Sequence, residues 1–207
     1  MRLLVEGLSA RRGEDLIFNY ISFSLAAAEA LVVTGPNGSG KSTLLRVLAG
    51  LLRAETGRIS LKDGPAGFEH PHELSHYLGH RNAMKRELTV EENLSFWQRF
   101  LGNSPGGSGL DLAAAAAAVG LADITHLPFG YLSAGQQRRM AMAKLLVAYR
   151  PIWILDEPTA ALDAGADRLF AGLVTSHLER GGIVIAATHQ ALGIGQSKTL
   201  QMTGFSH

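Results

Sequence analysis

The stretch Leu31-Val32-Val33-Thr34-Gly35-Pro36-Asn37-Gly38-Ser39-Gly40-Lys41-Ser42-Thr43 constrains this chain more than any other. A short apolar run of strand-forming residues leads directly into glycines at 35, 38 and 40, and residues with helical spacing follow from Lys41 to Leu52. Glycine tolerates backbone angles that L-residues avoid, so such a turn can curl until successive N–H groups point inward. The helix that follows adds its positive end, and Lys41 adds a full charge. A strand, this loop and a helix in that order make a cradle for phosphate, with Ser42 placed to reach Mg²⁺. A Gly-rich turn with an exposed lysine is the structural alternative. The expected phosphate-holding residues are Gly35, Pro36, Asn37, Gly38, Ser39, Gly40, Lys41, Ser42 and Thr43.

The rest of the pattern suits an α/β fold. β-Branched and apolar runs at Leu3–Val5, Ile17–Leu25, Leu31–Thr34, Arg58–Leu61, Ile152–Leu155 and Ile183–Ala187 read as strands. Helical spacing appears at Lys41–Leu52, Thr89–Leu101, Asp111–Val119, Ala134–Tyr149 and Ala164–Leu178. Alternation of this kind predicts a mostly parallel central sheet. From about residue 87 to 150 the pattern gives helices without a convincing strand, so a helical subdomain is expected there, inserted into an α/β core of 1–86 and 151–207, all within one domain. Gly102–Gly109 has the composition of a solvated connector.

Composition narrows the function classes. Nineteen Lys plus Arg against eighteen Asp plus Glu leave a net charge of +1, without the basic excess that would favour nucleic acid as a partner. With no cysteine there are no disulfides, thiolate nucleophiles or Cys-ligated metals, as in a reducing compartment. The uncharged run Leu112–Ala122 is well short of the roughly 18–20 residues of a membrane span, and Glu6 interrupts the N-terminal apolar run. Neither a bilayer crossing nor an export signal is expected.

Two further strings carry chemistry. Ile152-Trp153-Ile154-Leu155-Asp156-Glu157 is a buried strand ending in two carboxylates, a costly arrangement unless metal and water chemistry uses them. Beside a phosphate loop, Asp156 suits Mg²⁺ and Glu157 suits polarising an attacking water. Leu132-Ser133-Ala134-Gly135-Gln136-Gln137-Arg138-Arg139, taken alone, reads as a helix start capped by Ser133.

Together these strings resemble the ATP-binding cassette ATPases, whose usual Leu-Ser-Gly-Gly-Gln signature has Ala134 here in place of the first glycine. Ala160-Ala161-Leu162-Asp163 looks like the family's D-loop and Thr188-His189 like its switch histidine. The resemblance implies a P-loop cassette with a mostly parallel sheet, a small antiparallel β region and a helical insert. It also implies ATP hydrolysis between two stacked copies. In that arrangement Ser133, Gly135 and Gln136 serve the partner's nucleotide, Asp163 lines the interface, and His189 contacts the γ-phosphate beside catalytic Glu157. Two departures stand out. Arg11 and Arg12 occupy the place of an adenine-stacking aromatic, and Leu78-Gly79-His80-Arg81-Asn82 lacks the usual metal-contacting glutamine, with neither His80 nor Arg81 an equivalent ligand. The histidines at 70, 72, 76 and 80 read as part of a strand rather than a metal cluster, because residues 76–80 alternate.

The run Tyr77–Trp97, with the signature and Thr188-His189-Gln190, is most similar to the ATP-binding subunits of haem exporters in bacterial c-type cytochrome biogenesis. That resemblance implies a peripheral subunit on the cytoplasmic face of the inner membrane, paired with integral membrane subunits. Haem would be handled by the complex rather than bound by this chain. Another small exporter's ATPase, a soluble non-transport cassette, a P-loop kinase and a non-hydrolysing nucleotide-binding module are the alternatives.

Overall fold

The computed structural model describes residues 1–68, 70–159, 164–188, 193 and 195–203. Two sheets organise them. In the smaller, β1 (Arg2–Arg12) lies between β2 (Asp15–Ala26) and β4 (Thr56–Lys62), both antiparallel to it. The larger sheet has five strands, in the order β5 (Ser75–Leu78), β6 (Ile152–Asp156), β7 (Ile183–Ala187), β3 (Ala30–Thr34) and β8 (Lys198–Gln201), and every pairing is parallel. The expected α/β cassette is therefore the observed fold.

The strand sequences explain how this sheet is covered. All five residues of β6 and of β7 are buried, as a sheet packed on both faces requires. Side chains alternate between faces. Ile152, Ile154, Ile183 and Ile185 join Leu44, Leu45 and Leu48 of α1 (Lys41–Leu48) and Leu3, Val5 and Leu25 of the antiparallel sheet. On the other face Trp153, Leu155, Val184 and Ala186 meet Leu94 of α2 (Val90–Leu101), Ala115 of α3 (Leu112–Ala118), Met140 and Met142 of α4 (Ala134–Leu146) and Phe170 of α5 (Ala164–Glu179). Fully burying a side chain such as Leu or Ile contributes about 1.5–3 kcal/mol, so the two clusters fix the strand order that places the loops. Among the described residues, the segment between β5 and β6 contains helices and 3₁₀ turns, with an isolated bridge between Thr89 and Pro128.

Several elements differ from the sequence expectation for local reasons. α1 ends at Leu48 rather than Leu52, because Gly50 takes φ 69° and the N–H groups of Leu51 and Leu52 turn back to Arg46 O. α4 ends at Leu146, whose carbonyl accepts from Leu110 N at 2.8 Å. The Gly102–Gly109 stretch is mostly exposed, as expected of a solvated connector, but it is tied down at Asn103, whose Oδ1 accepts from both Gly109 N and Tyr149 N at 2.8 Å. A Cβ on Gly109 would stand 2.4 Å from the Val147 carbonyl carbon, so glycine serves close approach there. β5 appears where the histidine alternation placed a strand, whereas β8 carries no sequence signal.

Candidate active site

The loop after β3 is shaped by its contacts. Gly35 has φ 141°, and a Cβ there would fall 2.2 Å from Met202 O, at the end of β8. Gly40, with φ 92°, is the N-cap of α1 and lies against Ile17. No side chain caps this helix and no acidic residue stands in its first turn, so the positive end is not neutralised from within. Ser39 Oγ is buried and has no hydrogen-bond partner, an orphan that a bound phosphate or water would satisfy. Lys41 is 8% exposed, and its Nζ donates to Gly35 O at 2.7 Å and Pro36 O at 3.0 Å. The ammonium is thus folded back along the loop that it closes.

Parallel topology brings the carboxylates to the same edge. β6 and β3 flank β7, so the end of β6 faces the loop across one strand, at the carboxyl ends where open α/β sheets bind ligands. Ser42 Oγ donates to Asp156 Oδ1 at 2.9 Å. Asp156 is 1% exposed; Tyr77 OH donates to its Oδ2 at 3.4 Å, and His80 Nε2 lies 3.8 Å from the same oxygen. Burial, with the Asp156 charge adding to it, raises the Tyr77 pKa. A buried carboxylate paired with a hydroxyl is a hard oxygen donor set, the kind that Mg²⁺ takes along with phosphate oxygens and water. Glu157 follows at φ 46°, its N–H bonded to Ala187 O at 2.9 Å. It lines a cleft of about 290 Å³ with Lys41, Ser42, Gly38, Arg12 and His80. A larger groove of about 720 Å³ runs along α2 past Phe96 and Phe100 and shares no residue with this cleft.

The other expected residues lie elsewhere. Ser133 caps α4: its Oγ accepts from Gln136 N at 3.3 Å, and Gln136 Oε1 accepts from Ser133 N at 2.9 Å. Gly135 has open space where a Cβ would stand, and none of the three lines the Lys41 cleft. Asp163 and His189 fall outside the described residues. Of the two arginines at the place of the missing aromatic, Arg12 lines the cleft beside Ile17, while Arg11 Nη1 donates to Glu14 O at 2.8 Å.

Three groups at this edge had no role in the sequence reading, which weighed His80 only to set it aside as a metal ligand. Tyr77 and His80 arrive because β5 pairs in parallel with β6, Leu78 opposite Leu155, which carries the next residues alongside Asp156. That parallel register is the signal that could have found Tyr77; His80 was already assigned to this loop. Arg138, 6% exposed on α4, reaches the carbonyls of Asp156, Glu157 and Pro158. Burial lowers its pKa, and the Asp156 charge opposes that shift. Of the other histidines in the 70–80 run, His76 is buried with Nε2 donating to Ala148 O at 2.7 Å, while the exposed His70 and His72 rings stack 5.4 Å apart. Among the described residues no group of three or more His, Asp or Glu is arranged to hold a metal.

A family model described as "ABC transporter" matches residues 18–160. The chain belongs to the ABC transporter family. Its ABC fold is matched in an ATP-binding ABC transporter protein from Pyrococcus furiosus, with TM-score 0.81 over 98% of each chain at 22% identity. Cytochrome c biogenesis ATP-binding export protein CcmA of Rhizobium meliloti (strain 1021) is 81% identical over the full length of both chains. The protein of that name from Brucella melitensis is 50% identical, covering 100% of this chain and 98% of its own. As an ABC transporter ATPase, the chain binds and hydrolyses ATP. Among the described residues no helix is long and apolar enough to cross a membrane.

Proposed function

We propose that this ABC subunit hydrolyses Mg²⁺-bound ATP between two copies of itself, energising haem export or haem-chaperone release in c-type cytochrome biogenesis. The observation that carries the nucleotide chemistry is the Ser42–Asp156 hydrogen bond of 2.9 Å, with Glu157 and Lys41 on the same cleft. Lys41 and the backbone N–H groups of the 35–43 loop, Pro36 excepted, hold the phosphates, while Ser42 and Asp156 hold the metal. Bound Mg²⁺ supplies charge neutralisation on the phosphate oxygens. Glu157 takes a proton from, or orients, the attacking water, and His189 contacts the γ-phosphate. Ser133, Gly135 and Gln136, which do not line this cleft, serve the nucleotide on the partner copy, with Asp163 at the interface. The export role rests on full-length identity to the export proteins named above. On this reading the chain works at the cytoplasmic face of the inner membrane beside integral membrane subunits.

Glu157→Gln in the intact transporter is the test. ATP binding should persist, turnover should cease, and a nucleotide-bound dimer should accumulate; hydrolysis at the wild-type rate would remove Glu157 from its role. Affinity purification from detergent-solubilised membranes, with a haem absorption spectrum of the product, tests the transport assignment, and recovery of soluble partners alone would sink it.

A further inference from the structure

Arg138 is a buried cation whose partners are almost all backbone carbonyls. Nε donates to Pro158 O at 2.9 Å; Nη1 donates to Gly79 O at 2.8 Å and Asn82 Oδ1 at 3.4 Å; Nη2 donates to Glu157 O at 2.7 Å and Asp156 O at 3.4 Å. A guanidinium has five N–H groups in a planar fork, and here each has an acceptor. Its acceptors belong to two loops: the turn after β5 that carries His80, and the turn after β6 that carries Glu157.

The effect on Glu157 is specific. That residue sits in the left-handed region at φ 46°, where L side chains are rare. Its N–H is tied to Ala187 O at 2.9 Å and its C=O to Arg138 at 2.7 Å, so both peptide groups flanking its Cα are held. With both held, the Cα–Cβ direction is set, and with it the position of the carboxylate. The same side chain ties this loop to α4, five residues from Ser133.

We propose that Arg138 is a positioning residue for ATP hydrolysis: it holds the backbone of Glu157, and the turn carrying His80, in the arrangement that aligns the attacking water. This rests on the role of Glu157 proposed above. Lysine retains the charge but is a single point donor and cannot span two loops. Displacement of an aligned group by about 1 Å is enough for a loss of roughly 100-fold in rate.

The test uses the intact transporter with Arg138→Lys and, as a milder change, Asn82→Ala, which removes one acceptor and leaves the arginine. Arg138→Lys should lower kcat roughly 100-fold while KM and ATP affinity stay within about threefold, and Asn82→Ala should lower kcat a few-fold with KM unchanged. In a Glu157→Gln background, Arg138→Lys should change residual single-turnover hydrolysis by less than about twofold, since both act through one group. Three results overturn the proposal: wild-type kcat in Arg138→Lys, an undiminished loss in the Glu157→Gln background, or affinity, melting temperature and kcat falling together in both single variants. A normal rate in Glu157→Gln alone would instead strike the Glu157 reading, so the two failures are distinct.

Discussion

Acid should destabilise this fold through a histidine in β5, by an amount that a single substitution can isolate. His76 is 2% exposed, and burial pushes its pKa from 6.5 down to about 3. The folded-state value is depressed, so the unfolded chain takes up the proton first, and stability is lost as pH falls from 6.5 toward 3. Each pH unit in that window costs about 1.4 kcal/mol, so lowering the pH from 7 to 5 should cost about 2 kcal/mol at this residue. Gln at 76 keeps a neutral donor for Ala148 O, now bonded at 2.7 Å, and cannot titrate. Urea unfolding of both proteins at pH 7 and pH 5 gives the comparison. Wild type should lose about 2 kcal/mol more than His76→Gln over that interval, or roughly 4–8 °C in melting temperature for a chain of this size. His177, which burial pushes to about 4, adds its own acid slope but is common to both proteins and cancels. Parallel pH profiles for the two proteins would refute the reasoning.

Two substitutions separate the loop from its scaffold. Gly35→Ala places a Cβ 2.2 Å from Met202 O, so the phosphate loop must shift; ATP affinity measured by titration should weaken roughly tenfold or more, and an unchanged Kd would contradict the reading. Asn93 is 2% exposed; its Nδ2 donates to Lys85 O, Leu88 O and Thr89 O, and its Oδ1 accepts from Lys85 N. Asn93→Ala should therefore cost about 3 kcal/mol in urea unfolding, at 1–3 kcal/mol per stranded buried group, with ATP affinity unchanged.

The sequence exposed the parts of the site whose chemistry depends on residue type. Ser42 and Asp156 could be paired before any coordinates because a hydroxyl at a phosphate loop and a carboxylate at a buried strand end each need a reason, and one ion supplies both. The Ser133 cap was legible in the same way. Arg138 was not, because its acceptors are main-chain carbonyls that any residue carries, brought together by loop geometry. The four residues of β8, Lys198–Gln201, with Leu200 the one apolar member, are too short to show a period and become a strand only because β3 offers an edge. The close approach at Gly109, within an otherwise exposed connector, was hidden for a related reason: glycine marks both slack and tight contact, and the Val147 carbonyl that decides between them is distant in sequence.

The strand order also bears on synthesis. β3, which carries the phosphate loop, is flanked by β7 and β8, formed by Ile183–Ala187 and Lys198–Gln201, the last two strands along the described chain. A nascent chain translated past the loop has neither neighbour for β3, and Asp156 follows Ser42 by 114 residues. The phosphate loop therefore gains both flanking strands only after residue 201 has been made, long after the loop itself. The topology that assembles the site thus makes an early-translated loop wait on strands made late.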